Sequence, residues 1–229
     1  MESPHLSDIA QEYFSSLGPE TPTRQPLGRF TTRLPGDGTE YELLTEAARK
    51  TTVPGLVCEV GCRLGGGIQA IIDGLESRRV IVSIDPFGDY TYHHSDNTPD
   101  LYECGYDRNM LVEAMSTIPR ACHAKGHLWL PFIMDDTEFF RRFEDGVPLY
   151  EEEKFVINDY AFVHLDGPHR TDKVLEETEF FVPRVPVGGA IAYDNYGYFD
   201  WQAVAQRMVL GGFELEAKGQ EKMIWRKWV

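Results

Sequence analysis

Short apolar runs alternate with helical stretches along most of the chain, regularly enough to predict its elements. Residues 56–60 (LVCEV) read as a buried strand stopping at Gly61, with a helix in GIQAIIDGLES behind it. A second strand spans 79–85 (RVIVSID). A third spans 127–134 (HLWLPFIM) and leads to a helix capped near Asp136 or Thr137. The fourth strand, 161–166 (AFVHLD), is followed by the helix TDKVLEETEFF, and the fifth, 189–194 (GAIAYD), by the helical WQAVAQRMVL. The last stretch, FELEAKGQEKMIWRKWV, reads as two strands joined at Lys218-Gly219-Gln220. Near the start, residues 8–16 predict a short amphipathic helix, and a Pro-, Thr- and Gly-rich loop follows from Gly18 to Gly38. Thr39 with Glu42 three positions on forms a capping box for a helix running to about Lys50.

Strands alternating with helices imply an α/β, Rossmann-like fold: a seven-stranded, mostly parallel sheet with helices on both faces and a C-terminal antiparallel hairpin. Residues 1–50 read as an N-terminal helical and loop segment expected to join the substrate site, and residues 51–229 as the main domain. Within that domain, 86–124 fits the alternation poorly, with DYTYHHSDN and then a helix in RNMLVEAM. It reads as an insertion or lid over the site.

At 229 residues with 42% hydrophobic and 26% charged residues, the chain is an ordinary globular protein able to bury a sizeable core. No apolar run is long enough for a membrane-spanning helix, and MESPHLSDIAQEYF lacks the apolar segment of a signal peptide. The formal net charge of −15 repels phosphate backbones and anionic membranes, so neither nucleic acid nor membrane is an expected partner. The four cysteines form no CxxC pair, which argues against a zinc knuckle or disulfide framework and fits a reducing cytoplasm. The edge left by the C-terminal hairpin makes a homodimer an open expectation.

In open α/β sheets, ligands bind beyond the carboxyl ends of the strands where the topology switches direction. EVGCRLGGG (59–67) is a glycine turn between the first strand and its helix. Asp85 ends the second strand twenty residues beyond Gly65, where an acid would accept ribose hydroxyls. A dinucleotide fingerprint needs glycine where Arg63 stands, so that the backbone can touch a pyrophosphate. A bulky cation suits instead an adenosine cofactor carrying a carboxylate, such as S-adenosylmethionine.

The chain here resembles the class I S-adenosylmethionine-dependent methyltransferases, and its first motif is similar to the E-x-G-x-x-x-G-G form of small-molecule O-methyltransferases. The resemblance implies that Gly61, Arg63 and Gly65 line the methionine end, with Glu59 in the same cofactor motif. It places Asp85 on the ribose and Asp135 or Asp136 near the adenine.

The segment IAYDNY (191–196) runs from apolar residues into Asp194-Asn195. One reading is turn chemistry, since both residue types bond their own backbone. The other is metal binding. Asp166 ends the fourth strand, and adjacent strand ends would bring Asp166, Asp194 and Asn195 together as hard oxygen ligands for Mg²⁺ or, alternatively, Ca²⁺. That arrangement resembles the metal triad of the catechol O-methyltransferases, with twenty-eight residues between the two aspartates. HLDGPH is similar to the D-G-x-H segment of macrocin-type O-methyltransferases. His169 stands where the catechol enzymes carry lysine, and is expected to act with Asp166 in catalysis as the general base. The implied reaction is methyl transfer to a hydroxyl of a small molecule: a phenol, a sugar or a natural product. A metal-independent methyltransferase, and a binding module of this fold without turnover, are the alternatives. His93, His94 and Asp96 read as a polar lid loop or as a second metal cluster. Tyr193, Tyr196, Tyr198, Phe199 and Trp201 read as a substrate wall or as packing.

Overall fold

A computed structural model describes residues 38–97, 102–150 and 153–229. The predicted helix at 8–16 and the loop to Gly38 lie almost wholly outside them.

The first described helix, α1, is Tyr41–Lys50. It starts later than a capping box at Thr39 predicts. The Thr39 hydroxyl donates to Glu221 instead, and Glu40, at a left-handed φ of 56°, turns its carboxylate to the backbone N–H groups of Gln220, Glu221 and Lys222. The helix therefore begins by gripping the C-terminal hairpin.

The central strands follow the apolar runs to within two residues: β1 Leu56–Val60, β2 Val80–Ile84, β5 Leu128–Phe132, β8 Tyr160–Leu165 and β9 Ala190–Tyr193. With β10 (Phe213–Lys218) and β11 (Met223–Lys227) they form one seven-stranded sheet of order β10-β11-β9-β8-β1-β2-β5. Only β11 runs against the others, being antiparallel to both neighbours. Helices α1, α2 (Gly66–Gly74) and α3 (Arg108–Ala124) cover one face, and α4 (Asp136–Arg142), α5 (Thr171–Phe181) and α6 (Trp201–Leu210) the other. Each face has its own apolar core, one centred on Ile68, Ile71 and Phe162, the other on Phe139, Phe181 and Tyr193.

Of the expected insertion at 86–124, the half from Arg108 packs as a crossover helix, burying Ala114, Ile118 and Cys122. The other half carries a hairpin of β3 (Asp89–Tyr92) and β4 (Tyr102–Gly105). A second hairpin, β6 (Val147–Tyr150) with β7 (Lys154–Ile157), precedes β8. Its polar EEEK centre had masked it from hydrophobic patterning. Among the described residues no helix is long and apolar enough to cross a membrane.

Candidate active site

The sheet reverses its strand order at β1, which lies between β2 and β8. The first residue beyond each of β1, β2, β8 and β9 still donates its N–H into the ladder: Gly61 to Ile84, Asp85 to Phe132, Asp166 to Val60 and Asp194 to Leu165, at 2.9–3.1 Å. Backbone pairing thus sets three carboxylates along one rim. A cavity of about 850 Å³ opens above it, within the range of small-molecule sites. Of the residues expected to bind cofactor or metal or to act in catalysis, only Gly65 is absent from its wall, which carries Glu59, Gly61, Arg63, Asp85, Asp135, Asp136, Asp166, His169, Asp194 and Asn195.

The glycine turn is tight because the next strand end presses on it. Gly61 has φ +80°, and a Cβ there would lie 2.1 Å from the Asp166 carbonyl oxygen. Arg63 also takes a left-handed φ, 44°, an uncommon conformation for a residue with a side chain. Asp85 holds it there: one carboxylate oxygen accepts from Arg63 N at 2.8 Å and the other from Phe87 N at 2.9 Å. Burial raises the Asp85 carboxyl, and these backbone donors act against that rise. Cys62 supplies a third backbone donor, and the two oxygens together still have room for one more. Asp135 caps α4 through Glu138 N, and neighbouring Asp136 is buried with Oδ2 unpartnered.

Register explains a pair that strand patterning had left unassigned. Glu59 of β1 lies opposite His164 of β8, so both side chains leave the same face, and Glu59 Oε1 meets His164 Nδ1 at 2.8 Å. A Cβ on Gly67 of α2 would lie 1.9 Å from that carboxylate oxygen. Glycine there lets the helix close over the pair. Glu59 Oε2 and His164 Nε2 are both buried without hydrogen-bond partners, and burial raises the Glu59 carboxyl.

At the Asp194-Asn195 step, turn geometry and a buried carboxylate coexist. Asn195 has φ 48°, and its N–H donates to Asp194 Oδ1 at 2.9 Å. The same oxygen receives the fully buried Lys222 ammonium at 2.6 Å. Asp194 and Asp166 face each other closely enough to share a proton. Burial and the Asp194 charge push the Asp166 carboxyl well up. Burial also acts to raise Asp194, but His164 and Lys222 outweigh it and leave Asp194 below its ordinary value. His164, Asp166 and Asp194 each place a potential ligand atom within 4.8 Å of the others, the one such cluster among the described residues. Neither His164 nor Lys222 emerged from the sequence. A histidine two residues before a strand-end acid was the available signal for the first, and a lysine in a polar hairpin turn offered none.

His169 is buried, with Nε2 3.2 Å from Asn195 Nδ2 and 3.9 Å from Asp166 Oδ1. Burial, reinforced by His94, lowers its pKa to about 4. The HHSD loop lies across it. His169 N donates to His94 O, the two imidazoles meet edge-on at 4.8 Å, and Asp96 accepts from the backbone and hydroxyl of Thr171. Among the described residues, His93, His94 and Asp96 form no candidate metal cluster. None of the five aromatics expected as a substrate wall reaches the cavity. Tyr193 and Phe199 are core residues, Lys218 lies over the Tyr196 and Trp201 rings, and Tyr198 packs beside His94 and His169.

No protein-family model and no curated protein matches the chain. Solved structures do. The O-methyltransferase TomG from Streptomyces achromogenes, in complex with S-adenosylmethionine, aligns over 100% of this chain and 92% of its own, at 14% identity and TM-score 0.53. The O-methyltransferase NovP aligns over 82% and 79%, at 18% identity and TM-score 0.51. An O-methyltransferase from Bacillus cereus, in complex with S-adenosylhomocysteine, aligns over 98% and 91%, at 12% identity and TM-score 0.51. A rim of strand-end acids beside a glycine turn, on a seven-stranded sheet with only β11 reversed, is thus set in the fold of the S-adenosylmethionine-dependent O-methyltransferases.

Proposed function

We propose that the protein transfers a methyl group from S-adenosylmethionine to a hydroxyl of a small molecule, with a divalent cation at Asp166 and Asp194. The observation that carries this reading is the convergence of the glycine turn and the strand-end carboxylates on one cavity. When bound, the cofactor supplies an activated methyl group and the cation lowers the acceptor hydroxyl's pKa.

The chain's own residues fit both groups. Glu59 Oε2, buried without a partner, is an acceptor suited to the cofactor's ammonium group. Arg63 and Gly61 shape the methionine end, Asp85 is assigned to the ribose, and Asp135 and Asp136 to the adenine end. Two facing carboxylates, one of them forced toward its neutral form, suit a cation that would relieve their repulsion. Asn195 completes an all-oxygen set, for which Mg²⁺ is the natural ion. His169 takes the acceptor's proton: with a pKa near 4 it is neutral across the physiological range. The loop carrying His94 packs against it, through the His169 N–H to His94 O bond and the edge-on imidazoles. The acidic surface disfavours nucleic-acid acceptors, and the reading places the protein in the cytoplasm.

The metal-independent reading draws on Lys222, whose ammonium already neutralises Asp194. Calorimetry with S-adenosylhomocysteine, followed by turnover on a panel of phenolic and sugar diols with and without EDTA, separates the cases. Failure to bind S-adenosylhomocysteine refutes the cofactor, and full turnover in EDTA refutes the metal. His169→Ala should lower kcat about 10²–10⁴-fold with cofactor affinity unchanged. An unchanged kcat assigns the proton to another group.

A further inference from the structure

We infer that His164 is an imidazole ligand of the cation site, giving a His164–Asp166–Asp194 donor set that selects Mn²⁺, Fe²⁺ or Co²⁺ over Mg²⁺ and Ca²⁺. The inference rests on the divalent-cation reading above and changes its ligand set and metal preference.

Three observations carry it. A nitrogen of His164 and an oxygen from each aspartate lie within 4.8 Å of one another, close to the spacing of ligands around a single ion. Nδ1 is already committed to Glu59 Oε1 at 2.8 Å, and Nε2 is left buried with no partner. A buried imidazole nitrogen without a partner is costly unless something binds it. The Glu59–His164 pair also has the form that metal-binding histidines adopt, with a carboxylate on the far nitrogen fixing ring orientation and tautomer. Register makes the pair permanent: Glu59 and His164 are partners on adjacent parallel strands, and Gly67 brings α2 down onto them.

The bonds of Asn195 use its backbone N–H, on Asp194 Oδ1, and its side-chain nitrogen, on His169 Nε2, so Asn195 would join this set only through Oδ1. Lys222 occupies Asp194 Oδ1 and leaves Oδ2 for an ion. His164 is absent from the cavity wall, so the ion would sit at the cavity floor with its outer positions open to the acceptor.

An imidazole ligand moves preference from the hard alkaline-earth ions to the first-row transition metals. The test is metal binding to the whole chain without substrate. Calorimetry should show Mn²⁺ and Co²⁺ binding at least about tenfold more tightly than Mg²⁺, since one added nitrogen ligand follows the affinity order of these ions. Pulsed electron paramagnetic resonance of the Mn²⁺-loaded protein should show coupling to one ¹⁴N nucleus. That coupling should vanish in His164→Gln and persist in His169→Ala and Asn195→Ala. If His164→Gln does not fold, the His169→Ala spectrum decides the matter: coupling that persists there comes from His164, and coupling that disappears comes from His169. Bound Mn²⁺ without nitrogen coupling, or coupling lost only in His169→Ala, overturns the assignment while the divalent-cation reading stands. Failure of every divalent ion to bind overturns both.

Discussion

Lys222→Met is the most informative single perturbation of this site. The substitution keeps most of the side-chain volume and removes a charge that is fully buried and 2.6 Å from Asp194 Oδ1. Breaking a buried ion pair by deleting one partner costs about 3–5 kcal/mol, because the other charge stays in the low-dielectric interior. Asp194 already faces Asp166, so the abandoned carboxylate would also lie against a like charge. Proton uptake by that pair limits the loss, which favours the lower end. At about 2–4 °C per kcal/mol for a chain of this size, Tm should fall by about 6–12 °C. Thermal unfolding in EDTA reads this directly, and Mn²⁺ should restore part of it by replacing the lost positive charge. The double variant Lys222→Met/Asp194→Asn should be less destabilised than the sum of its parts by at least about 1 kcal/mol. A single variant as stable as wild type, or strictly additive effects, would show that the Lys222–Asp194 contact is not a coupled buried pair.

Three further outcomes are expected. Gly67→Ala drives a methyl group into Glu59 Oε1 and His164 Nδ1, so denaturant unfolding should show a loss of about 1–3 kcal/mol; an unchanged midpoint would mean that α2 does not sit on the pair. Asp85→Ala frees the Arg63 and Phe87 amides, so calorimetry should show S-adenosylhomocysteine binding weakened by about 1–3 kcal/mol, whereas equal affinity would place the cofactor away from this turn. His127, held near pKa 4 by burial with Arg79 N donating to its Nδ1, is lowered relative to the unfolded chain. Between pH 6.5 and 4 the unfolded state therefore binds more protons, and stability falls on acidification through that window. His127→Asn retains an acceptor for Arg79 and should remove about 2 kcal/mol of the loss between pH 7 and pH 5, as read from urea titrations at both values; an unaltered pH slope would refute it.

The alternation of apolar runs determined the fold by itself, because a parallel strand buried on both faces has to be nearly continuously apolar, and LVCEV, VIVSI and AFVHL, each with a single polar residue, have that form. The same runs placed Asp85, Asp166 and Asp194 at the rim, since the first polar residue after a buried strand marks its carboxyl end. What lies beside those acids was decided only in three dimensions. His164 reads as one polar residue in an apolar strand until register sets it against Glu59, one hundred and five positions earlier. Lys222 reads as a solvated hairpin residue until Glu40 takes hold of the three consecutive amides there and α1 closes over the tip. Helical and strand periods are local and survive in the order of residues. Charge pairing between distant strands depends on sheet order and register, which arise only when the chain packs.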